Sequence, residues 1–216
     1  MATSGYVDRM AQEHRPVAPR QATVAEWLAE PEEKGAELIR GRIVYKAFPN
    51  PEHGLTQAKT AEALGPFNCR PRDANRPGGW WIASEVDLLL NGEGFRPDLC
   101  GWRRDRVASL PKPGPRGAVT ERPDWIAEIL SMSTAERDLY EKLTSYHAMG
   151  IPYYWILDPV YRILIIYRHS AEGYLFLRGA KAGNIVRAEP FDALELSVGF
   201  LFGQEDEEEP PAPENP

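Results

Sequence analysis

Apolar and polar positions change period several times along the chain, and each change marks an element. Thr23 stands as an N-cap before the helical stretch VAEWLAE, and two short apolar runs, AELI and RIVYKA, meet at Arg40-Gly41, which predicts a helix followed by a hairpin. From Glu52 to about Phe67, Leu55, Ala58, Ala61 and Leu64 recur at three-residue steps. That spacing predicts a helix with these residues as its buried stripe, stopping near Gly65-Pro66. WWIASEVDLLL reads as one strand, NGEG as its turn, and FRPDLCGW as a second strand antiparallel to the first.

Residues 103–123 are irregular and rich in Arg, Lys, Pro and Gly, a loop long enough to suggest a functional excursion. DWIAEIL follows as a buried strand. Ser133 and Glu136 have the spacing of a capping box, opening a helix from Thr134 to about Met149 that Gly150 closes. PYYWILD, RILIIYR and GYLFLR are further strands, with a turn near Ser170 to Gly173, and short segments after Gly183 complete the sheet. From Glu52 to Asp158 the order is therefore helix, three strands, helix, strand. It defines a mixed α/β domain and by itself names no activity. Residues 1–20 and 204–216 are poor in core-forming residues, and are expected to be disordered extensions of one domain at 21–203.

Composition supports that plan: 216 residues with 43% hydrophobic content can bury one substantial core. The two cysteines, Cys69 and Cys100, are far apart and form neither a disulfide framework nor a zinc motif. With no signal-peptide pattern and no membrane-length apolar run, the expectation is a soluble cytoplasmic protein. A net charge of -7 argues against nucleic acid as a partner until it is located. Glu205, Asp206, Glu207, Glu208, Glu209 and Glu214, all in the C-terminal tail, account for six of those charges. The rest of the chain can still carry a local basic strip, and Arg103, Arg104, Arg106, Lys112, Arg116 and Arg122 of the long loop are the candidates for phosphate-backbone contacts.

Three positions stand out chemically. Glu128 is the only charge within an apolar strand, so its carboxylate requires a metal, a cation or a proton; the alternative is an ion pair or an outward-facing position. Asp98, after Pro97, is early in the preceding strand, where local backbone capping is the simpler account. Lys142 shares a helix face with Asp138 and Tyr146, which by itself implies only a surface pair. Carboxylates from neighbouring strands can share Mg²⁺ or Mn²⁺, and a nearby ammonium can assist at water or phosphate. The expected metal ligands are Asp98 and Glu128, and the expected catalytic set adds Lys142.

ELIRGRIV, the His53 segment, SEVDLLL, RPD, AEILSMST, the pair Asp138 and Lys142, and GIPYYWILDP occur in an order that resembles the Uma family of bacterial endonucleases, within the PD-(D/E)xK nuclease superfamily. The resemblance runs from about Thr23 to Phe202. It implies a restriction-endonuclease-like fold: a mixed sheet flanked by helices in the order αβββαβ, with an extra N-terminal hairpin and C-terminal strands. It also implies a divalent-metal site with Asp98 as the PD aspartate and Glu128 as the acid of the second half-motif. Leu130 stands where the superfamily has lysine, so Lys142 is its substitute on the following helix. Glu85 and His53 are additional candidates, as a further carboxylate and a phosphate-facing residue; a solvent-facing strand residue and a helix cap are the plainer accounts.

The leading expectation is Mg²⁺- or Mn²⁺-dependent hydrolysis of phosphodiesters, with DNA as substrate. The alternative is a non-catalytic nuclease-fold protein that binds nucleic acid or a partner subunit. A third reading is an assembly module, in which a sheet edge at IPYYWIL or RILIIY pairs in a homodimer.

Overall fold

The computed structural model describes residues 20–46, 50–70, 77–114, 117–131 and 135–204. The expected disordered extensions fall almost wholly outside these, as does the Ser133 half of the expected capping box. A six-stranded sheet has the order β10-β9-β8-β7-β6-β3, formed by β3 (Trp80–Ser84), β6 (Leu99–Arg103), β7 (Trp125–Ile129), β8 (Tyr153–Asp158), β9 (Ile163–Ser170) and β10 (Gly173–Lys181). Only β7 and β8 are parallel, joined through a helix; the other neighbours are antiparallel. A four-stranded sheet, order β2-β1-β5-β4, contains β1 (Ala36–Ile39), β2 (Arg42–Tyr45), β4 (Leu88–Leu90) and β5 (Glu93–Phe95). Strands β11 (Ile185–Val186) and β12 (Leu196–Ser197) form a separate pair.

β7 explains why its sequence reads as an unbroken apolar run: both faces are covered, and all five residues are buried. Trp125, Ala127 and Ile129 pack on one side with Trp155, Phe191 and Leu201. Ile126 points to the other, toward Ile39, Phe95, Tyr146 and Tyr154. Strand alternation puts Glu128 on the Ile126 side, between the large sheet and the elements covering it.

The N-terminal helix α1 (Val24–Leu28) has the expected Thr23 cap, strengthened by a reciprocal bond to Glu26. Trp27 of α1 lies flat on β5, and a Cβ at Gly94 would come within 2.4 Å of its ring, so the glycine is needed for close approach. Arg40-Gly41 and Asn91-Gly92 have the paired positive φ angles of tight hairpin turns.

Four expectations require correction. WWIASEVDLLL is not one strand: Glu85 has φ +54°, the chain turns there, and β3 and β4 enter different sheets. FRPDLCGW divides in the same way, while Glu93 and Gly94 of the expected turn belong to β5. Helix α2 (Pro51–Ala63) buries His53, Thr56 and Thr60 rather than Leu55, Ala58 and Ala61, with Leu64 buried just beyond. Its inner face abuts a polar site, so the apolar spacing misidentifies the inward side. Finally, β8 and β9 are interior strands, so neither provides the edge expected for dimer pairing. The edges are β3 and β10, and the ladder of β10 is interrupted by a bulge between Phe176 and Arg178.

The helix after β7 contains a π-helical turn, Arg137–Lys142, and continues as α3 (Leu143–Ala148). This wide turn directs Asp138 and Lys142 inward, and both are buried. A short C-terminal helix, α4 (Val198–Leu201), packs against α2.

Candidate active site

Asp98 precedes β6 and Glu128 is near the end of β7. The antiparallel register pairs Leu99 with Ala127, so one step further Asp98 lies opposite Glu128. Both are almost completely buried. The Ile129 amide donates to Asp98 Oδ2 at 2.6 Å, fixing the aspartate against the Glu128 strand. Lys46 Nζ donates to Asp98 Oδ1 at 2.6 Å, and His53 Nε2 lies 3.3 Å from the same oxygen. Burial alone would raise the Asp98 pKa, but the His53 hydrogen bond and the Lys46 charge outweigh it and hold the carboxyl well below the usual range.

Glu128 Oε1 accepts from Lys142 Nζ at 3.0 Å and from the Tyr146 hydroxyl at 2.7 Å. Lys142 therefore comes to Glu128, but it is no surface residue. Its ammonium also meets Glu37 Oε1 at 3.0 Å and Asp138 Oδ1 at 3.3 Å, and its side chain is 2% exposed. These carboxylates outweigh burial and keep Lys142 firmly protonated. Glu128 is shifted upward by burial and by Asp98, Asp138 and Glu37, against the opposing pull of Lys142.

Glu85 joins the site through its two oxygens, at 3.2 and 3.0 Å from Lys46 Nζ. Its positive φ turns it out of the strand alternation that the sequence suggested. Gln57 Nε2 bridges Glu85 Oε1 and the Asp98 carbonyl at 3.1 and 2.9 Å. A cleft of about 680 Å³ opens over this group, lined by Tyr45, Lys46, His53, Gln57, Glu85 and Arg96 among others.

Lys46, Glu37 and Gln57 were not anticipated as site residues. Glu37 has the same signature as Glu128, a lone acid in an apolar run, and was discoverable on that ground. Lys46 and Gln57 carry no such mark, because only tertiary packing brings them to Asp98. The basic loop is elsewhere. Arg103 pairs with Asp105, Arg106 with Asp124 and Glu121, and Arg122 donates to the Gly150 carbonyl. Arg104 stacks 3.3 Å over Trp81. These contacts cluster at the opposite ends of β6 and β7 from Asp98 and Glu128, so the described loop arginines lie away from the carboxylate site; Arg116 lies outside the described residues.

Asp98, Glu128, Glu37, Asp138 and Glu85 face the cations Lys46, Lys142 and Arg137, five acids against three bases among the described residues. With Glu128 protonated in the metal-free protein the excess is one negative charge, and a divalent cation would favour release of that proton. No group of three or more His, Cys, Asp or Glu is arranged as a complete ligand set among the described residues. A carboxylate pair nevertheless suits Mg²⁺, which keeps several waters.

A family model described as "Putative restriction endonuclease", Uma2, matches residues 22–199. The chain belongs to the Uma2 family. Its Uma2 domain resembles a crystal structure of "a putative nuclease belonging to DUF820" from Anabaena variabilis, with a TM-score of 0.64 and 21% identity, covering 83% of this chain and 97% of that one. The likeness establishes the shared restriction-endonuclease-like fold. A comparison with curated proteins returned no match. No helix among the described residues is long and apolar enough to cross a membrane.

Proposed function

We propose that this Uma2 protein is a metal-dependent endonuclease that hydrolyses phosphodiester bonds of DNA, with Asp98 and Glu128 as the metal-holding pair. The observation that carries the reading is their opposition on neighbouring strands beneath an open cleft, in a cluster with more carboxylate than cationic charge. The family description also supports a nuclease. Mg²⁺ or Mn²⁺ held there would polarise the phosphoryl group and acidify an attacking water.

The protein residues have separate tasks. Ile129 N–H and the His53 ring orient Asp98 and keep it ionised. Lys142 and Tyr146 orient Glu128, so Lys142 acts as a positioning residue from within the protein. Lys46, on the lining of the cleft, would be a cation available to an incoming phosphate.

The test is nicking of supercoiled DNA by purified protein with Mg²⁺ or Mn²⁺. Wild type should nick and stop with EDTA, and Glu128→Gln should be inactive. The burial of Lys142 and the leucine at position 130 favour the second reading, a non-catalytic nuclease-fold binding protein. Absence of cleavage across metals and nucleic-acid substrates, with retained nucleic-acid binding, would select it.

A further inference from the structure

Two lysines reach the carboxylate cluster, and their surroundings differ. Lys142 is sealed by Glu37, Glu128 and Asp138 and has no open side. Lys46 follows β2, lines the cleft, and retains 17% side-chain exposure. Its ammonium meets Asp98 Oδ1 at 2.6 Å, the Glu85 oxygens at 3.0 and 3.2 Å, and the Arg96 carbonyl at 3.0 Å. This is an all-oxygen environment of the kind that hard divalent cations prefer.

We propose that Lys46 is a tethered, displaceable cation: it occupies the space beside Asp98 that a divalent ion must enter, and on entry it is released into the cleft to face the phosphate. The inference rests on the metal-dependent reading above and adds a specific role for Lys46. An ammonium and a divalent ion sharing Asp98 Oδ1 would repel strongly at such short range, so one must yield. The flexible four-carbon stem permits that movement toward the open side. Gln57 holds the Glu85 carboxylate, and the Ile129 amide and His53 ring hold that of Asp98, so both carboxylates have a support that remains when Lys46 leaves.

Mn²⁺ titration calorimetry on the full chain tests the exchange. Lys46→Gln should bind Mn²⁺ at least about tenfold more tightly than wild type, because the competing charge is gone. Lys46→Arg, which retains the charge, should bind no more tightly than wild type. At saturating Mn²⁺, Lys46→Gln should nick DNA more slowly. A second measurement needs no variant: the Lys46 Nζ resonance of wild type should shift as Mg²⁺ is added. Equal or weaker Mn²⁺ binding by folded Lys46→Gln, no Mn²⁺ binding by any form, or an unmoved resonance at saturating Mg²⁺ would overturn the proposal. Tighter binding by Lys46→Gln in a protein that cleaves nothing supports the exchange while removing the nuclease reading. Wild-type cleavage with unchanged metal affinity in Lys46→Gln does the reverse.

Discussion

Strands β6 and β7 bury acids at both ends, with different outcomes. At one end Asp124 accepts the Arg103 amide at 2.8 Å and the Arg106 guanidinium at 2.8 and 3.0 Å, a single buried acid held by an arginine that it shares with the exposed Glu121. At the other, Asp98 and Glu128 belong to a cluster whose carboxylates outnumber its cations. Burial of an acid does not distinguish a site from a support; the local charge balance and access to a cleft do.

The largest stability effect should come from Lys142→Met. Removing this ammonium leaves Glu37, Glu128 and Asp138 without their shared cation, and should cost roughly 3–5 kcal/mol, far above a surface pair. Denaturant unfolding measures it; a loss below about 1 kcal/mol would return Lys142 to the surface-pair account. Asp124→Asn should cost less, roughly 2 kcal/mol, because Arg106 retains 32% side-chain exposure and can rehydrate. Its Mn²⁺ affinity should match wild type, and weakened metal binding would erase the contrast between the strand ends.

Glu128→Gln and Asp98→Asn should differ from this and from each other. Glu128 holds a proton in the metal-free protein, so in EDTA Glu128→Gln should melt within about 1 kcal/mol of wild type, whereas Asp98→Asn removes the ionised partner of Lys46 and His53 and should cost roughly 2 kcal/mol. Mn²⁺ at a hundredfold excess over its Kd should stabilise wild type by about 2.7 kcal/mol and these variants by much less. Equal stabilisation in all forms would put the ion elsewhere.

The last contrast is in pH dependence. In EDTA, Glu128 keeps its proton in the folded protein up to about pH 8, whereas the unfolded chain releases it near its ordinary value of 4.5. The folded state binds more protons between those values, so this group makes stability fall as pH rises through that window. Glu128→Gln should flatten the slope, and an unchanged slope would show that another group carries it.

The order of elements was legible because β7 and β8 are buried enough to write continuous apolar runs. Asp98, Glu128 and Lys142 were legible as a group only through their ordered motif context. The division of each long strand at Glu85 and after Phe95 was hidden, since residues on both sides of the bend are equally suited to strands. The inner face of α2 was hidden for another reason: Thr56 and Thr60 pack inward although the helix's apolar spacing points elsewhere. Lys46 looks like any polar residue at the end of a strand. Its position depends on how one sheet docks against the other.

The bend at Glu85 has a modular consequence. Asp98 and Glu128 belong to the large sheet, while Lys46 arrives on the hairpin of the small one. Variation in that hairpin can therefore remove, shift or replace the Lys46 ammonium without altering the strands that carry the acids. One framework can thus present the same pair of carboxylates beside a different local charge, and the N-terminal hairpin is where such tuning is available to evolution or design.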